Sequence, residues 1–156
     1  MCSSKIFSLP SKSAIVRATF NILWYALALN FNLLNAYISL SEYYQSKNHK
    51  QKSLHTSALG ALTGFTKILS VVSNRNPEFK YTNLGALFEE ASLYPDIIEW
   101  GINNSVWMGF YQFAEQAQKN DYPIFAKQMY NVLKDYSPEE YWRDAANTRL
   151  QELNIN

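Results

Sequence analysis

Between Arg17 and Glu42 the chain runs for 24 residues without a charge, yet Asn21, Asn30, Asn32 and Asn35 interrupt the stretch. An uncharged run of that length is a candidate membrane span. The asparagines argue against one, because an amide facing lipid has no water to bond. Turned at about 100° per residue, Arg17, Asn21, Asn32, Asn35, Ser39, Glu42 and Ser46 fall in one narrow stripe. Opposite them lie Phe20, Ile22, Leu23, Leu27, Leu29, Phe31, Leu33, Leu34, Ile38 and Leu40. That pattern predicts a long N-terminal core helix over residues 13–47, behind a basic tail at 1–12, with residues 13–156 forming one helical domain. Asn30 alone departs from the stripe and points into the apolar face, as a buried polar candidate.

A second reading of the same segment is a targeting peptide. Lys5, Lys12 and Arg17 give a basic start, Phe20 onward is apolar, and Ala26-Leu27-Ala28 resembles a cleavage site. That reading implies a secreted or organellar destination. The lone Cys2 excludes an internal disulfide and any cysteine zinc site, so a reducing, cytoplasmic setting is the expectation otherwise.

Aromatic residues make up 15% of the chain, against five Gly and five Pro, which favours helices over a turn-rich sheet. No stretch alternates with period two, so the expected class is all-α, a bundle of about five to six helices. After the first helix, the signals place others near 50–73, 84–93, 95–119, 123–135 and 138–152. Asn76-Pro77, Tyr94-Pro95 and Asn120-Asp121 act as stops, and Gly101 with Asn103-Asn104-Ser105 kinks the fourth. Ser137-Pro138-Glu139-Glu140 is the strongest start signal, a capping serine followed by proline and two acids. In the second helix Ser53, Ser57, Gly60 and Gly64 form a face that lets a neighbour approach closely.

Charge is divided along the chain. Residues 1–77 carry eight Lys/Arg and the single Glu42, a balance of +7, while residues 78–156 carry six Lys/Arg and twelve Asp/Glu, a balance of −6. The two halves sum to the formal +1. Packing basic helices beside acidic ones accounts for this, and a contact surface for phosphate or an acidic protein at Lys47, Lys50 and Lys52 is the sharper alternative.

Catalytic motifs are missing. There is no phosphate-binding glycine loop, no Cys-x-x-Cys and no His-Glu-x-x-His. His49 and His55 stand six apart, which places them on opposed sides of a helix and unsuits them to one metal. His55 borders the apolar stripe of its helix and is a second buried polar candidate. Residues 110–117, followed by Tyr122-Pro123-Ile124-Phe125-Ala126, resemble the helix pair of rubrerythrin-like, ferritin-type proteins over about a fifth of the chain. Asn103 stands at the expected glutamate ligand, and Asp135 and Pro138 stand where Glu-x-x-His belongs. The resemblance therefore implies a bundle and no iron, and a degenerate ferritin-like bundle with a small-molecule or metal pocket, Asn30, His55 and Glu89 or Glu90 pointing inward, is the third reading of the chain. No cofactor is expected.

The remaining signal is aromatic. Trp100, Trp107, Phe110, Tyr111, Phe113 and Phe125 recur at helical spacing and suit a core, while Tyr136, Tyr141 and Trp142 form a candidate exposed patch. The expected function is non-catalytic binding of another protein or a second copy of the chain. Nucleic acid or an anionic surface at the basic half is the alternative partner.

Overall fold

Hydrophobic period and proline stops divide the chain into helices. The structure, a computed structural model, describes residues 22–23 and 34–155. Among these, α1 is Leu34–Ser46, α2 Lys50–Arg75, α3 Leu84–Ala91, α4 Pro95–Asn103, α5 Val106–Lys119, α6 Pro123–Tyr136 and α7 Glu140–Ile155. No strand occurs among the described residues. The all-α class holds, with seven helices among the described residues 34–155 where five to six were expected for the chain.

The additional helix comes from a break inside the expected 95–119 segment. Ser105 adopts left-handed backbone at φ 57°, and the Asn104 side chain donates back to the Trp100 carbonyl. Together they turn a kink into a boundary between α4 and α5. The last helix starts at Glu140, two residues beyond Pro138. Ser137 does accept a hydrogen bond from the Glu139 amide at 3.3 Å, so the capping signal acts on the turn before the helix.

In α1 the polar stripe is exposed at Asn35, Ser39, Glu42 and Ser46, while Leu34, Ile38, Leu40 and Tyr44 are buried. Leu23 packs against the cluster Ala36, Tyr37 and Leu40. Of the helix expected over 13–47, α1 covers 34–46, and residues 13–21 and 24–33 lie outside the described residues. Asn30 and the basic tail lie outside the described residues.

Among the described helices α5 is the most widely connected. It touches α1, α2, α4, α6 and α7. Its Val106, Trp107, Phe110, Ala114 and Ala117 are almost fully enclosed. The main core takes residues from all seven helices, from Leu34 to Leu150. Phe88, Trp107 and Phe110 meet one another with ring centres 5.7–6.0 Å apart in tilted or edge-on arrangements.

Helices α1 and α2 approach closely through small residues. A Cβ built on Gly60 would sit 2.9 Å from the Tyr37 Cβ, and one on Gly64 would sit 3.1 Å from Val106 and 3.3 Å from Leu34. Ser41 and Ser53, both fully buried, tie the pair together. The Ser41 hydroxyl donates to the Ser53 carbonyl at 2.9 Å, and the Ser53 hydroxyl returns the bond to the Ser41 carbonyl at 2.8 Å. Gln112 of α5 donates to the Ile38 carbonyl at 3.1 Å.

Charged side chains tie the periphery. Arg75 at the end of α2 grips Asp96 in the first turn of α4 with two hydrogen bonds. The bonded guanidinium holds the Asp96 carboxyl below its ordinary range. Arg149 of α7 donates to Glu115 of α5 at 2.8 Å, to Glu152 at 2.9 Å and to the Tyr111 hydroxyl at 3.3 Å. The acidic second half thus consumes part of its charge internally.

Candidate functional site

Helix α2 has two faces to cover. Its small face, Ser53, Ser57, Gly60 and Gly64, is buried against α1 and α5. The bulkier flank is left with Leu54, Ala58, Leu62, Phe65 and Leu69, none fully buried. Leu62 is 54% exposed and Leu59, one turn away, 48%. The close α1–α2 contact decides this: burying the glycine face turns the leucine face outward.

Facing that flank, α6 carries two adjacent stripes. Phe125, Met129, Val132 and Tyr136 follow one, and Gln128, Asn131 and Asp135 the next. Phe125 is 56% exposed, with its ring 6.4 Å from that of Tyr122. Between the two helices lies an open apolar groove of about 340 Å³. Leu62 and Phe65 form one wall, Met129 the other, and Phe88 and Phe110 the floor; Phe113 and Leu84 complete it. Leu84 also lines an adjoining polar hollow of about 490 Å³ with Tyr81, Thr82, Asn83, Gln128, Asn131, Asp135 and Tyr136. The Tyr81 ring rests edge-on against Phe65 at 5.7 Å and joins the two halves.

Chemically the cleft has a dry end and an end rich in side-chain amides. Asn83 uses its carbonyl oxygen to cap α3, accepting from Ala86 at 2.9 Å. Tyr136 reaches the hollow past Gly85, where a Cβ would lie 3.5 Å from its hydroxyl. There is no nucleophile–base pair in it. Among the described residues no cluster of His, Cys, Asp or Glu could hold a metal. Glu90 is occupied elsewhere, accepting from Asn76 at 3.0 Å and from the Tyr94 hydroxyl at 2.9 Å. The bond to Glu90 is the main cause of the raised Tyr94 pKa.

The residues singled out in the sequence scatter. Lys47, Lys50 and Lys52 are exposed around the turn at 47–49, where Asn48 takes left-handed backbone at φ 58°. Helix α2 begins there with no side-chain cap and no acid in its first turn. Lys47 stacks over the Tyr43 ring at 5.9 Å and Lys52 over Tyr44 at 5.7 Å. Lys50 shares a hollow of about 280 Å³ with Lys119, the last residue of α5, and Asn120 just beyond it. Lys119 escaped notice because it lies in the acidic half.

His55 is exposed on α2 and not buried; the face it borders is the open one. Tyr141 is exposed and meets Trp142 at 4.6 Å, and Trp142 leans on Tyr111 at 5.3 Å. Tyr136 turns instead to Phe88 at 6.1 Å, so two of the three residues come together and the third joins the cleft. The cleft itself went unnoticed in the sequence. The available signal was the pair of competing faces on α2, one small and one bulky.

Among the described residues no helix is long and apolar enough to cross a membrane. Comparison with protein-family models, with curated proteins and with solved structures returns no match.

Proposed function

We propose that the chain is a non-catalytic, helical protein-binding module that engages a partner through the cleft between α2 and α6. The observation that carries this reading is the unclosed apolar groove, with Leu62 about half exposed above a floor of Phe88 and Phe110. Contiguous apolar surface of that kind marks interaction sites. A photo-crosslinking residue placed at Leu62 and expressed in the native host should yield one discrete crosslinked protein. The same residue at Lys67, exposed on another side of α2, should yield none. Equal labelling from both positions would refute the cleft as the interface.

A second reading is supported by the uncapped start of α2. Its free amides, the positive end of the helix dipole and Lys47, Lys50, Lys52 and Lys119 all favour an anion such as a nucleic-acid phosphate. Binding to a labelled duplex, followed against salt, tests it. Neutralising three or four phosphates implies a log–log slope of about −3. A flat dependence would remove this reading and leave the first untouched.

A further inference from the structure

We infer that the partner docks as a short peptide segment with one bulky apolar anchor followed within a few residues by a lysine or arginine. This rests on the reading of the α2–α6 cleft as a protein interface and adds what the partner must present. The apolar groove and the polar hollow share Leu84 as a common wall, so a segment laid across that residue meets both. The dry end, walled by Leu62, Phe65 and Met129, accepts a large aliphatic or aromatic side chain and offers it no hydrogen bond. The wet end offers the amides of Gln128 and Asn131, which make no hydrogen bond with other described residues. An amide side chain both donates and accepts, which matches the alternating N–H and C=O groups of a peptide backbone.

Charge selects the neighbouring residue. Among the described residues lining the hollow, Asp135 is the one that carries a full charge. It stands in the last turn of α6, where the helix dipole is already negative, so a cation there is doubly favoured. Among the described residues it pairs with the adjacent Lys134 at 3.4 Å, with both side chains about half exposed. A contact of that kind contributes little and yields readily to a competing cation. The opposite potential, from the start of α3, is blunted because Asn83 already occupies the Ala86 amide.

The test pans a random twelve-residue peptide library, displayed on phage, against the full chain. Enriched peptides are then synthesised with a fluorophore and titrated by anisotropy. The expected set pairs Trp, Phe, Leu or Met with Lys or Arg within about four residues. Leu62→Glu should weaken binding about tenfold or more, as for a central interface anchor. Asp135→Asn should weaken it about threefold to tenfold, and that loss should vanish for a peptide whose Lys is replaced by norleucine. Peptides that lose affinity in Leu62→Glu but not in Asp135→Asn would overturn the cationic requirement and leave the interface standing. Enrichment insensitive to Leu62→Glu would overturn both. Sedimentation showing a dimer of the chain that Leu62→Glu dissolves would assign the cleft to a second copy and end the peptide proposal.

Discussion

Trp107→Ala should lower the stability of the chain by about 3–5 kcal/mol, a large fraction of what holds a domain of this size together. The indole is fully enclosed at the start of α5 and contacts Phe88 and Phe110, so its removal opens a cavity that the two remaining rings cannot refill. Denaturant midpoints, read by circular dichroism at constant slope, measure the loss. Trp107→Phe separates packing from hydrogen bonding. The indole Nε1 is buried with no partner among the described residues, and a Cβ on Gly101 would come within 3.3 Å of it. Phenylalanine removes that donor and keeps most of the ring, so a loss of only about 1–2 kcal/mol is expected. A loss equal to that of alanine would show that the N–H makes a bond worth more than the missing volume.

The second large effect is at Gly60. Alanine there gains about 1 kcal/mol in helix propensity, so the sign of the change reports packing directly. The new methyl would meet the Tyr37 Cβ at 2.9 Å, and neither atom sits on a flexible end. The helices must separate, which also stretches the Ser41–Ser53 bonds. Overpacking of this kind costs about 1–3 kcal/mol net, and Gly60→Val should cost more than Gly60→Ala. Gly109→Ala is the control, since its nearest neighbour outside the helix, Ile38, is 4.0 Å from a new Cβ. It should be neutral or stabilising. If Gly60→Ala behaved likewise, the close α1–α2 approach described above would be wrong.

How much of this could be read from residues alone varies with the range of the interaction. Local rules performed well. Proline and asparagine placed the stops at 76–77, 94–95 and 120–121, and period placed the exposed edge of α1. The small face of α2 was recognised as a site of close approach, as Tyr37 on Gly60 shows. What failed depended on tertiary competition. Each face of α2 was a reasonable core face, and only the arrival of α1 decides which is buried. The burial of His55 failed with that choice. The break at Ser105 was visible as a kink, but its left-handed backbone carries no sequence signature beyond Asn-Asn-Ser. The cleft was illegible because its walls come from residues 58–65, 81–88, 110–113 and 128–136, whose adjacency no local rule supplies.

The reciprocal serine bonds between α1 and α2 act as a ruler for the chain. Sliding one helix past the other by a turn would strand two hydroxyls in a dry seam and bring side chains onto Gly60, so the hairpin has a single setting. Insertions or deletions in its three-residue turn would have to be absorbed by that seam, which has no slack. The segment from Asn76 to Asn83 carries ties of its own, Asn76 to Glu90, Phe79 against the core and Asn83 at the start of α3, and leaves Pro77, Glu78 and Lys80 exposed between them. A change of length at those exposed positions would reach the mouth of the groove through Tyr81, whose ring rests on Phe65.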